Sequence, residues 1–391
     1  MAATLAESTS FFAGRRAVGI WLLAVAAIII GMVVIGGLTR LTGSGLSITQ
    51  WDPIVGAVPP LNDSAWHDAF AKYRQIPQYR FENQGMTLDG FKAIFWWEWA
   101  HRLLGRLLGL VFAVPLAWFA WLGVIRRVLG RLLSILFGVR TAWLDSTGPI
   151  RGGGEWLRML LLLALGALQG FVGWWMVMSG LETRVSVSQY RLAIHLGVAV
   201  ILLGAILWTA LDYLRLSLPP PRGEVEAPKA LRVGALALVG LVYLQMLLGA
   251  LVAGLHGGLV YNTWPSMDGR VFPELDFTWT SFFEDAGLAQ FDHRIGAYVV
   301  FVTALVLAFR IRNKKPSAAA VNAAGIVAAL AVFQVVLGIV TLVTQVPIAL
   351  AAAHQLTAAL LFCAAVWQAF ELRLAKAPLS SPASIAATAA M

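Results

Sequence analysis

A single cysteine, Cys363, occurs in 391 residues, which excludes an intramolecular disulfide, a Cys-x-x-Cys redox motif and a cysteine-based zinc site. It lies in an apolar run, where packing is its simplest role. Any redox chemistry therefore needs a bound group. Charge is scarce as well: 13% of residues are charged and 59% hydrophobic, against roughly 25% charged in an ordinary soluble domain. That balance excludes a soluble globular protein. Acids are the scarcer sign, 20 against 29 Lys and Arg, for a net charge of +9. The placement of these charges points to membrane topology and sets nucleic-acid binding aside.

Apolar length is what the chain has in excess. Eight windows are long enough to cross about 30 Å of hydrocarbon: residues 17–38, 93–123, 156–178, 190–213, 231–255, 291–311, 319–343 and 349–371. The first lacks a small-residue cleavage site and reads as a mature helix, not a signal peptide. An all-α polytopic membrane protein is predicted. Eighteen Lys and Arg fall on the side holding Arg15, Arg126, Arg215, Arg310 and Arg373, and eight on the other, although that other side has the two longest loops. Because cytoplasmic loops retain positive charge, both termini are placed in the cytoplasm of a bacterial inner membrane. The external segments 39–90 and 256–289 look ordered, and their Trp51, Trp66, Trp264 and Trp279 read as interface-belt aromatics.

The two halves repeat. GGLTRLTGSGLSITQWDP after the first span answers GALVAGLHGGLVYNTWPS after the fifth, and EWAHRLLGRLLGLVFAV answers QFDHRIGAYVVFVTA. LQGFVGWWMV answers FQVVLGIVTLV, and RLAIHLGVAVILLGAILW answers ALAAAHQLTAALLFCAAVW. Four helices return the chain to its starting side, so the halves share one orientation. Two pseudo-symmetric four-helix bundles are expected, residues 1–222 and 223–391.

Of six histidines, His67 and His256 lie in or beside external segments, whereas His101, His195, His293 and His354 each lie near the outer end of an even-numbered span. A lone histidine on an apolar helix is usually a packing residue. Four at matching depth, two per repeat, suit paired axial ligation of one haem per bundle, toward the outer face. A carboxylate-bridged di-iron centre would need two Glu-x-x-His motifs. Only Glu98–His101 supplies one, and the repeat has Gln290 instead. Glu98 shares a helix face with His101 and is spaced to pair with Arg102. It is also a carboxyl able to relay protons beside an iron centre. Its absence from the second half divides the labour: chemistry in the first half, a retained cofactor in the second. Arg102 and Arg294 each follow a histidine and either pair with haem propionates or snorkel outward. Gln169 and Gln334 occupy matching positions and suggest interhelical hydrogen bonds. Gly36, Gly37, Gly43 and Gly45 lack the ending of a phosphate loop and suit close helix packing or a helix end.

Together TRLTGSGLSITQW after the first span, EWAHR at 98–102, DHR at 292–294, and His195 and His354 in their spans make the chain resemble the haem A synthase family, from about residue 17 to about 372. The resemblance implies conversion of haem O to haem A, in which one porphyrin methyl becomes a formyl group by two successive hydroxylations and loss of water, for cytochrome oxidase assembly. It implies that His101 and His195 flank the substrate haem with Arg102 beside them and Glu98 assisting. His293 and His354, with Arg294, would hold a resident haem b. Some bacterial members carry cysteine pairs in the external loops. This chain has none, and so looks like the type found in mitochondria and related bacteria. A ferredoxin-like electron donor and a haem O synthase as upstream partner are the implied company; the state as monomer or homo-oligomer stays open. Two other functions compete. A quinol-linked bis-histidine di-haem electron carrier would not need a carboxyl beside only one haem. A haem transporter would not retain its cargo with four axial ligands.

Overall fold

The computed structural model describes residues 2–52, 54–137, 149–150, 152–182, 184–215, 227–272 and 278–374. Among the described residues the chain is helical, with one isolated bridge between Met267 and Arg270 and no strand. Eight helices are long and apolar enough to cross a membrane, and they coincide with the eight windows expected from the sequence. They are α1 (Ala2–Leu41), α4 (Leu88–Phe137), α5 (Gly152–Glu182), α6 (Gln189–Arg215), α7 (Lys229–Gly254), α9 (Ala286–Lys314), α10 (Ala318–Val343) and α11 (Ile348–Leu374). Short helices α2 (Asp63–Tyr73) and α3 (Pro77–Phe81) lie between α1 and α4, and α8 (Ser281–Glu284) precedes α9.

Local chemistry sets several ends. The Asn62 side chain accepts from Ala65 N to start α2, Asp285 accepts from Leu288 N to start α9, and Ser317 accepts from Ala320 N to start α10. Lys315 takes a left-handed conformation and ends α9. The membrane-spanning helices turn large apolar side chains outward: Leu107, Leu110, Val114, Trp118 and Trp121 form one exposed stripe at helical spacing on α4. Water would not tolerate such a face, and lipid does.

The chain falls into two compact units, residues 1–218 with 253–255, and residues 219–252 with 256–391. In the first, α1 packs on α4 and α6, and α5 on α4 and α6, so four spans close a ring. Arg15 of α1 pairs with Glu155 of α5 at 2.7 Å, and Tyr213 of α6 donates to the same carboxylate at 2.8 Å. The segment between α1 and α4 covers one end of this ring with its own apolar core. There Trp66, at 8% exposure, packs with Tyr73, Phe91, Phe95 and Val187. Trp66 is thus a core residue and not an interface aromatic, whereas Trp51, Trp264 and Trp279 are exposed as expected. In the second unit α10 packs on α9 and α11. Buried alanines such as Ala323, Ala324, Ala331, Ala365 and Ala369 let these backbones approach closely.

Candidate active site

The four intramembrane histidines sit in four copies of one cradle. His101 of α4 lies against Gly36 of α1, His195 of α6 against Gly173 of α5, His293 of α9 against Gly249 of α7, and His354 of α11 against Gly338 of α10. A Cβ at these glycines would stand 3.0, 2.8, 3.1 and 2.8 Å from the ring Cε1, in that order. At Gly173 and Gly338 a side chain would force the imidazole to shift, and at Gly36 and Gly249 the ring would have to give by a few tenths of an ångström. Gly36 is therefore a packing glycine, and Gly43, at φ +65°, carries the chain out of α1.

Three cradles hold a second device. Four residues before its glycine, one turn along the same helix, each carries a glutamine. Gln169 Nε2 lies 3.1 Å from His195 Nδ1, Gln245 Nε2 lies 2.9 Å from His293 Nδ1, and Gln334 Nε2 lies 3.3 Å from His354 Nε2. Gln245 and Gln334 also donate to the backbone carbonyls of His293 and His354, at 2.8 and 3.0 Å. Gln245 reaches its histidine only because Gly296 leaves room for its carboxamide. Gln169 and Gln334 are the interhelical hydrogen bonders expected, with the histidines as their partners. Gln245 is the third member of the set. The recurring Gln-x-x-x-Gly at 169–173, 245–249 and 334–338 is the signal that finds it.

The structure brings the His293 and His354 rings together with their planes nearly perpendicular, at 75°, and their centroids 6.4 Å apart. Half that separation, less the radius of an imidazole ring, leaves about 2 Å, the length of an imidazole–metal bond. Among the described residues no three His, Cys, Asp or Glu side chains converge to hold a bare metal ion. Two imidazoles facing across a gap of this size fit an ion that brings its other four ligands with it, as porphyrin iron does. His101 and His195 belong to the first unit, on helices of its closed ring.

Glu98 is 3% exposed, and every contact it makes is a donor. Arg102 Nη2 reaches Oε1 at 2.6 Å, and Ser47 Oγ and Ile48 N reach Oε2 at 2.7 and 2.8 Å. This is the arrangement a carboxylate accepts. The i,i+4 ion pair read from the spacing is present. Gln290, in the equivalent position, keeps the arginine contact, Arg294 Nη2 to Oε1 at 3.3 Å, but its Nε2 faces acceptors, donating to Gly257 O at 2.9 Å and Tyr261 O at 3.1 Å. A carboxylate at 290 would meet two carbonyl oxygens. Arg102 also donates to Ile48 O and Gln50 O at 2.7 and 3.0 Å, and Arg294 donates to Tyr261 O and Thr263 O, both at 3.0 Å. Both arginines thereby pin an interhelical segment over the ends of their helices. TRLTGSGLSITQW and EWAHR are thus in direct contact through Ser47, Ile48, Gln50, Glu98 and Arg102.

The profile of the family described as cytochrome oxidase assembly protein matches residues 19–126 and 119–366. A protein named Heme A synthase from Rhodopseudomonas palustris (strain TIE-1) is 47% identical over 361 residues, 90% of this chain and 88% of its own. One of the same name from Bradyrhizobium sp. (strain ORS 278) is 45% identical, over 95% of this chain and 94% of its own. Another, from Parvibaculum lavamentivorans, is 44% identical, over 92% and 95%. The chain belongs to the haem A synthase family. The stretch of haem A synthase similarity spans all four cradles, Glu98 and the segments 39–90 and 256–289.

Proposed function

We propose that the chain converts haem O to haem A, oxidising one porphyrin methyl to a formyl group by two hydroxylations and loss of water. The name shared by its relatives supports the activity. The site assignment rests on one observation: a buried carboxylate, Glu98, stands beside only one of two similar histidine pairs.

In this reading residues 1–222 form the substrate half and residues 223–391 the cofactor half. His101 and His195 would hold the substrate haem, and His293 and His354 would hold haem b, whose iron would supply one-electron transfer. Losing water to form the aldehyde requires a proton on the departing hydroxyl. Glu98 could hold and hand on that proton at Oε1, which among the described residues accepts only from Arg102, while Ser47 and Ile48 fix its orientation through Oε2. Arg102 and Arg294 border the two sites, and their charge suits the propionates of bound haem. The excess of Lys and Arg on one side supports an inner-membrane location with both termini cytoplasmic and the haem sites toward the outer face. A ferredoxin-like protein suits the role of electron donor. A haem O synthase suits that of upstream partner, because contact transfer keeps an apolar haem out of water.

The test is extraction of haems from membranes in which the chain is expressed with a haem O synthase, with separation and mass identification. Formyl-bearing haem that depends on this chain and on oxygen is the expected result. Haem b with unconverted haem O only, under a proven electron supply, would overturn the proposal.

A further inference from the structure

The four cradles differ in one residue. Where α5, α7 and α10 carry Gln169, Gln245 and Gln334 four residues before the glycine, α1 carries Met32 before Gly36. Met32 lies across the same helix contact, its Cε 3.5 Å from where a Cβ of Gly105 would stand, one turn beyond His101. A carboxamide both donates and accepts, so it holds an imidazole in either tautomer, whereas a thioether donates nothing and accepts weakly. His101 Nδ1 is buried without a hydrogen-bond partner among the described residues; so is His354 Nδ1, but the His354 ring meets its glutamine at Nε2 instead. Three histidine rings are thus seated and clamped, and the fourth is only seated. The exception is the ring on the helix face that carries Glu98.

We propose that Gln169, Gln245 and Gln334 clamp His195, His293 and His354 as permanent axial ligands, and that Met32 leaves His101 as the one ligand able to detach. This rests on the haem-binding reading above and says which of its four ligands moves. Outer-sphere hydrogen bonds fix the orientation of a metal-bound histidine and strengthen its hold. A site that only relays electrons gains from two such bonds. A site that must take in a haem, work on it and let it go needs one ligand without that anchor. The substrate pair is therefore asymmetric, His195 holding while His101 opens, and the cofactor pair is closed on both sides.

Carbon monoxide is the probe, because it binds ferrous haem only where an axial ligand leaves. The full chain, purified with both haems and reduced without oxygen, is expected to bind it at one haem of the two. Met32→Gln should supply the missing clamp and weaken carbon monoxide binding about tenfold at unchanged haem content, the ratio worth one net hydrogen bond. Gln334→Met should do the reverse and turn the inert haem into a second carbon monoxide site. No binding by the doubly loaded wild type, or binding unaltered in both variants, would overturn the proposal. Should Met32→Gln not fold, Gln334→Met decides alone, since its haem either gains carbon monoxide binding or does not. Failure of the underlying reading looks different: His101→Ala and His354→Ala would then both leave haem content untouched.

Discussion

Replacing Glu98 with alanine removes the acceptor of Ser47, Ile48 and Arg102 at once and leaves a nearly buried guanidinium without its charge partner. Breaking a buried pair this way costs about 3 kcal/mol. Glu98→Ala is therefore expected to lower the unfolding midpoint, keep bound haem and lose formyl-haem production. Unchanged product by mass analysis would remove Glu98 from the mechanism. Gly338 makes a sharper case, because no charge is involved. Its missing side chain is the space His354 occupies at 2.8 Å from Cε1. Gly338→Ala should turn the ring away and deplete haem in the second unit while sparing the first. A haemochrome assay showing full haem content would show that the cradle tolerates a methyl group.

Between elements, two ion pairs join helices of the first unit and should differ in worth. Arg15, 6% exposed, pairs with Glu155, whereas Arg158, 46% exposed, pairs with Asp212 at 2.9 Å. Removing the carboxylate leaves a buried charge in the first case and a solvated one in the second. Glu155→Ala is expected to cost about 3 kcal/mol and Asp212→Ala less than about 1, and thermal unfolding in detergent would compare them. The external cover has its own sensitivity. Burial pushes the Tyr73 hydroxyl above its ordinary pKa, against the opposing effect of the Asn83 hydrogen bond. With the folded value above the unfolded one, the stabilisation is intact below about pH 10 and is lost as pH rises through the folded value. Alkaline titration of tryptophan fluorescence should show the cover loosening, and Tyr73→Phe should remove that step.

Across the whole molecule, the excess of Lys and Arg on one side predicts orientation. A fluorescent protein fused to the C-terminus should light up in the cytoplasm, and alkaline phosphatase inserted between residues 39 and 90 should be active. An inactive insertion beside a dark C-terminal fusion would reverse the orientation. The spans were legible because hydrocarbon thickness is a length rule that apolar runs obey almost alone. Helix ends were less so: α4 starts at Leu88, not 93, and α9 at Ala286, not 291, since caps and polar first turns extend helices beyond the apolar window. The histidines stood out because four of them repeat. Gln245 did not, since a lone amide in an apolar helix looks like any interhelical hydrogen bonder until its glycine is seen one turn on. The burial of Trp66 is not legible locally, because the segment around it folds on itself and no local pattern says that Phe91 and Phe95 come to cover it.

Each cradle takes its histidine from one helix and its glycine from another. A helix entering one residue out of step would carry its glycine about 100° round the axis and set a side chain against the ring. Bound pigment would then be lost from a chain whose helix content is unchanged. The colour of the purified protein is thus a direct gauge of whether its helices have paired in register.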